Sequence, residues 1–334
     1  MNRERGANQT DTGQADRGPE LVAVGETMAC IISERPSAAR AGRHERPCLP
    51  WAVIGAESNV AMVLVQLDHP AAWVSRLGQD HMGDLVASTI ESGGVDVIVT
   101  RDPARPTGMI VKEIEPDRTR VRYYRRGSAA SALDGTELDA CPAGVRWVHL
   151  TGITPALSAS TPASVSSYLE WADAANVRVS FDLNYRPALW SDRTTARETL
   201  LELCRAADLV FAGADEVDAL FGSQSSTDFA TTVGLDGERE LVYKLGADGA
   251  ELVCSGRAIR EPATPPARIV DLTGAGDAFA AGYLAGVLEG LPARTRLRLG
   301  HMMARQALGS RDDVGPAPPP EELEALRCAG DGAA

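Results

Sequence analysis

Along this chain, apolar residues recur with two different spacings, and the two spacings take turns. Short, mostly apolar runs read as buried strands, and stretches with an apolar residue every three or four positions read as amphipathic helices. The first apolar run, 21–32, reads as a buried strand broken at Gly25-Glu26. A turn at Gly55 leads into a helix over about 57–67, with Val60, Val63, Leu64 and Leu67 on one face. Strands follow at 95–99, 145–150, 177–183, 208–212 and 241–245, interleaved with helices at 161–175, 194–206 and 215–222. A hairpin over 250–260 and a strand-like pair, Ile269-Val270, precede a helix of small and apolar residues; 295–308 reads as a last long helix, with a short one after the prolines at 316–320. Strands alternating with helices predict an α/β domain over 20–328, with a mostly parallel central sheet covered on both faces. In such sheets ligands lie at the carboxyl ends of the strands.

Two stretches break the rhythm. Residues 107–127 alternate apolar and charged positions around a Pro-Asp turn, the pattern of an exposed antiparallel hairpin. Inserted into a βα chain, such a hairpin suits a lid, joined by a second excursion over about 30–54. An exposed lid has an open strand edge, so pairing two lids in a homo-oligomer would cover it. Residues 1–19 are polar and Gly-rich and read as a disordered tail.

Composition narrows the partners. The chain of 334 residues has a formal charge of −13 and no long basic run, which argues against nucleic acid and anionic membranes. Six scattered cysteines form no CxxC and no Cys/His cluster, and no apolar run is long enough to span a bilayer; a reducing cytoplasm is the expected location. Lys112 and Lys244 are the only lysines among 33 basic residues, which draws attention to both.

The chemistry concentrates in DLTGAGDAFAAGYLAG, 271–286. The Gly274-Ala275-Gly276 turn heads a helix, whose first N–H groups have no intrahelical partner and attract anions. Asp277 would repel a phosphate there, unless its task is to take a proton from a hydroxyl about to be phosphorylated. No GxxxxGK[ST] loop and no GxGxxG after a strand offers a competing phosphate site.

The 271–286 stretch resembles the C-terminal signature of the ribokinase-like (PfkB) carbohydrate kinases. GAESNVA from Gly55, followed by RLGQDHMGD from Arg76, resembles the family's N-terminal signature, with Ile54 where the first glycine usually stands. The resemblance runs from about Leu21 to Gly315. It implies a ribokinase-like fold, an anion hole at Gly274, Ala275 and Gly276, and Asp277 as catalytic base. It also implies ATP and Mg²⁺ as cofactors, with Lys244, Gly246 and Gly249 of a K-x-G-x-x-G turn along the nucleotide. Gly213 stands where the family has an asparagine, and Glu216 would organise the metal through water.

YYRRGSAASAL, LTGITPALS and FDLNYRPALW are together similar to the 2-keto-3-deoxygluconate kinases within that family. A sugar acid carries a carboxylate, which planar guanidinium groups grip bidentately. Arg125 on the hairpin and Arg186 after the 177–183 strand are the candidates. Gly55, Asn59, Tyr123 and Asn184 would contact the sugar, as would Asp312 or Asp313, with spacing favouring Asp313. The rival readings are a fructokinase or other neutral-sugar kinase, and a non-catalytic sugar-binding relative.

Overall fold

A computed structural model describes residues 18–34, 50–114 and 119–329. The expected tail and most of the 30–54 excursion therefore lie outside the described residues. The chain runs β1 (Leu21–Val24), β2 (Met28–Glu34), β3 (Trp51–Ile54), α1 (Ala56–Gln66), β4 (Ala71–Gly78), α2 (His81–Ser92) and β5 (Asp96–Asp102). Next come β6 (Met109–Ile114), β7 (Thr119–Tyr124), β8 (Trp147–Thr151), α3 (Thr161–Ala175), β9 (Arg178–Asp182), α4 (Arg193–Ala206), β10 (Leu209–Gly213), α5 (Ala214–Phe221) and α6 (Ser226–Val233). The remainder is β11 (Glu240–Lys244), β12 (Ala250–Cys254), β13 (Arg257–Glu261), α7 (Ala275–Leu288), α8 (Ala293–Leu308) and α9 (Pro320–Cys328).

Nine strands form the central sheet in the order β13-β12-β11-β10-β9-β8-β1-β4-β5. From β11 to β5 every neighbouring pair is parallel, while β12 and β13 add an antiparallel edge. Alternate residues of β1 supply both cores. Leu21 and Ala23 face the side covered by α1, α7 and α8, and Val22 and Val24 face the side covered by α3 and α4. A strand buried on both faces must be apolar throughout, which explains the unbroken LVAV run. Successive strands step away from β1 in one direction through β4 and β5, and in the other from β8 onward. That reversal is the topological switch point, where open α/β sheets bind ligands.

Helix α7 is apolar around its whole circumference because other elements cover it on all sides; Ala278 to Gly286 are all buried. Close packing against α8 requires Gly282, since a Cβ there would lie 2.6 Å from the Leu299 carbonyl oxygen.

Three sequence expectations are corrected. The 21–32 run is two strands in different sheets, because the chain turns at 25–27. The 107–127 stretch does form the antiparallel pair β6-β7, but not as an isolated hairpin. It joins β2 and β3 in a second sheet of order β3-β2-β6-β7, with β2 and β6 parallel. Met28, Cys30 and Ile110 form that sheet's own small core. Finally, Ile269-Val270 is not a strand: both side chains are exposed, and the Val270 N–H donates to the Leu308 carbonyl. Helix α6, within a Thr-rich stretch, was not anticipated.

Candidate active site

A cleft of about 1370 Å³ opens at the carboxyl ends of the central strands, between the main sheet and the second one. Its wall brings together Gly55, Asn59, Tyr123, Arg125, Asn184, Arg186, Gly213, Glu216, Lys244, Gly246, Gly274, Gly276, Asp277 and Asp313. Sequence positions 55 to 313 therefore converge on one space. Gly249 does not reach it. With φ of 107° and a Cβ position 2.2 Å from the Glu261 carbonyl oxygen, Gly249 shapes the β11–β12 turn instead. Ala275 is the first residue of α7, and its side chain is not part of the wall.

The phosphate end is built from the α7 N-terminus. Gly274 caps the helix in a left-handed conformation, φ 78°, and a Cβ there would overlap the Asp313 carbonyl oxygen at 2.0 Å. Glycine is thus required twice over, by φ and by the close approach. At Gly276 the only atom near a hypothetical Cβ is Lys244 Nζ, 3.7 Å away. The open helix terminus and the Lys244 ammonium hence face the same space, a cationic cradle suited to phosphate. Lys244 Nζ donates to Asp182 Oδ2 at 2.6 Å, and Asp182 is itself buried at the end of β9.

Asp277 is the third residue of α7, in its first turn. Asn59 Nδ2, on α1, donates to Asp277 Oδ2 at 2.9 Å. The Asp277 carboxyl is pushed up to about 7, first by lost hydration and then by the Asp182 charge; Asn59, Lys244 and Arg186 pull the other way. A carboxylate poised near neutral pH is suited to accept a proton from an alcohol.

On the same cleft wall, Asn59 Oδ1, Asn184 Oδ1 and Asp313 Oδ2 are buried oxygens without a hydrogen-bond partner. Three cleft residues with unused acceptors match a ligand rich in hydroxyl groups. Asn184 holds a left-handed backbone, φ 36°, with its N–H donating to Asp182 Oδ1 at 3.2 Å. Asp313 is buried and Asp312 is exposed, so geometry puts only the former on the wall. Tyr123 is 57% exposed and opposes Ile110 across β6-β7.

The two arginines differ. Arg186 is exposed on the cleft wall, and its charge favours the ionised forms of both Asp277 and Glu216. Arg125, the other candidate to hold a carboxylate, already has an acidic partner: its Nε donates to Glu26 Oε2 at 2.6 Å, while Ser128 Oγ donates to Glu26 Oε1 at 2.5 Å. Buried Glu26 needs a counter-charge, and Arg125 provides it. Glu26 and Asp182 escaped the sequence reading, although both fall in quoted stretches. The usable signal was an acid at the carboxyl end of an apolar strand.

Glu216 lies on the wall, with Oε2 accepting from the Gly213 N–H at 2.9 Å; burial raises its pKa. Among the described residues no three His, Cys, Asp or Glu groups cluster closely enough to hold a metal ion. The donor set therefore fits Mg²⁺ carried mainly by phosphates and water, and not an all-protein cage. No helix among the described residues is long and apolar enough to cross a membrane.

Comparison with known proteins follows the same lines. A sequence model described as "pfkB family carbohydrate kinase" matches residues 19–319. A 2-dehydro-3-deoxygluconokinase of Bacillus subtilis is 32% identical over 311 residues, covering 91% of this chain and 94% of that protein. The crystal structure of a PfkB protein from Polaromonas sp. JS666 superposes with a TM-score of 0.78 at 30% identity, covering 92% of this chain and all of the other. The crystal structure of an Escherichia coli protein described as a "putative Ribokinase II", in complex with ATP and Mg²⁺ and 20% identical, superposes with a TM-score of 0.77 and covers 92% of this chain and 98% of its own.

Proposed function

Because the chain belongs to the pfkB family of carbohydrate kinases, we propose that it transfers the γ-phosphoryl group of ATP to the terminal hydroxyl of 2-keto-3-deoxygluconate. The observation that carries this reading is Asp277, a carboxyl pushed up to about 7 in the first turn of a helix, in a cleft that also holds buried oxygens free to accept from sugar hydroxyls. Asp277 takes the hydroxyl proton as the oxygen attacks phosphorus, and ADP leaves. The first amides of α7 and the Lys244 ammonium stabilise charge on the transferring group. When bound, Mg²⁺ neutralises the phosphate oxygens, with Glu216 ordering its waters from the wall. Asn184 and Asp313 accept from sugar hydroxyls.

The substrate carboxylate goes first to Arg186, an exposed cation on the cleft wall just after β9. Arg125 shares its charge between that carboxylate and Glu26. The B. subtilis relative, named as a 2-dehydro-3-deoxygluconokinase over nearly its whole length, supports the sugar-acid reading over a fructokinase. The second sheet acts as the lid that excludes water, and exposed Trp51, Val121 and Tyr124 suit it to pairing with the lid of another copy in the cytoplasm. Sedimentation at micromolar concentration checks that pairing, and a monomer would refute it.

The deciding experiment compares kcat/KM for ATP-dependent ADP release on 2-keto-3-deoxygluconate, fructose and ribose. Preference for the sugar acid supports the assignment. Preference for fructose would transfer it to a neutral-sugar kinase, and sugar binding without ADP release on any of them would make the protein a silent relative.

A further inference from the structure

Lys112 is one of two lysines in the chain and has no part in the chemistry above. It sits on β6 two residues after Ile110, so it shares the face that Ile110 turns toward the cleft. Its side chain is 8% exposed. Nζ donates to Asp313 Oδ1 at 3.1 Å and lies 3.4 Å from Asp271 Oδ2. Neither carboxylate is an ordinary surface acid. Asp271 Oδ1 accepts from the Thr273 N–H at 3.0 Å and the Thr273 hydroxyl at 2.8 Å, shaping the chain that enters Gly274. Asp313 presents its carbonyl oxygen where a Cβ of Gly274 would stand, and its Oδ2 has no partner. One ammonium on the second sheet thus holds both segments that meet at Gly274.

We propose that Lys112 is a positioning residue: it sets the phosphate turn and the Asp313 carboxylate in fixed relation to the roof of the cleft. The proposal rests on the kinase reading of that cleft. A buried ammonium between two acids is costly unless both bonds are made, so the three groups have one favourable arrangement. With Oδ1 of Asp313 committed to Lys112, Oδ2 is the oxygen left for a sugar hydroxyl. Asp271, restrained by the same ammonium, keeps the Thr273 amide in its turn. Without the ammonium, two acids would face each other beside buried Cys30, and both segments would separate.

The test uses Lys112→Ala, with Lys112→Gln alongside to keep the length and a donor should the alanine variant fail to fold. Hydrogen exchange of the 273–277 amides, read without substrate, should quicken in either variant. On the sugar acid, kcat/KM should fall about tenfold or more, the effect of a lost charge-assisted hydrogen bond. Ethylammonium added to Lys112→Ala should restore part of the loss, since it returns the charge to the space the side chain left. Unchanged exchange at 273–277 overturns the proposal, as does a lower Tm with unaltered kcat/KM, which would leave only a structural ion pair. If the wild-type enzyme phosphorylates no sugar, the functional reading fails while the exchange measurement still decides the role of Lys112.

Discussion

Replacing Asp277 by asparagine separates the catalytic value of the carboxylate from its cost to the fold. The substitution keeps the shape and an acceptor for Asn59 Nδ2 while removing the base. General-base loss lowers turnover by about 10²–10⁴, which is roughly 2.7–5.4 kcal/mol of transition-state stabilisation. The stability effect has the opposite sign. Folding carries this carboxyl from an ordinary value of 3.8 to about 7, so ionisation is easier in the unfolded chain. The fold therefore loses stability as pH rises from about 4 to about 7, and the loss is constant above that. At about 1.4 kcal/mol for each pH unit between those values, the full cost is on the order of 4 kcal/mol. The buried amide that replaces it costs about 2–3 kcal/mol in its turn, leaving a net gain of about 1–2 kcal/mol. Asp277→Asn should then melt roughly 2–4 °C above the wild type at pH 8, with a smaller gap at pH 5. Differential scanning calorimetry at both pH values, paired with a coupled ADP assay, tests the argument. Equal melting temperatures at pH 8, or a kcat near the wild-type value, would refute it.

Other outcomes follow from the same geometry. Gly276→Ala should preserve or slightly raise Tm, because the position is helical and its Cβ meets only Lys244 Nζ at 3.7 Å; it should raise the KM for ATP about tenfold or more by filling the phosphate cradle. Arg186→Ala should cost about 1.5–3 kcal/mol of sugar-acid binding, read as a rise in KM of roughly 10- to 150-fold; an unchanged KM would remove the carboxylate argument. The pH profile of kcat/KM should have an acid limb near 7, since Asp277 must be ionised to accept a proton. A limb near 4 would mean that the cleft does not shift this carboxyl.

Much of the main sheet was legible because strand and helix periods are local properties of sequence. The β8–α3–β9–α4–β10 run needed only alternating apolar spacing and turn residues. The second sheet was not legible as a sheet, since β2 pairs with β6, which follows it by some eighty residues, and no local period reports that partner. The exposed Ile269-Val270 pair misled for a related reason: apolar residues beside a ligand cleft carry the composition of a strand without its burial. In the site, the Gly-Ala-Gly-Asp turn was visible because its pattern lies within four residues, although the Asp313 carbonyl that also requires Gly274 does not. The charges that tune it come from far away: Lys244 meets Asp182 across 62 positions, and Arg125 meets Glu26 across 99. An arginine that reads as a free hook in sequence was already spoken for by an acid that only folding brings near.

The joint between β1 and β2 gives the molecule its mechanics. Only residues 25–27 separate an interior strand of the main sheet from one in the second sheet, the roof of the cleft. Gly25 has no room for a side chain, because a Cβ would lie 2.1 Å from the buried Glu57 carboxyl carbon. The seven residues of β2 form a lever of roughly 23 Å. A swing of about ten degrees at that pivot would carry its far end by about 4 Å, more than the thickness of one layer of water. Floor and roof are thus successive strands joined by a short elbow, and Glu26 of that elbow lines the cleft.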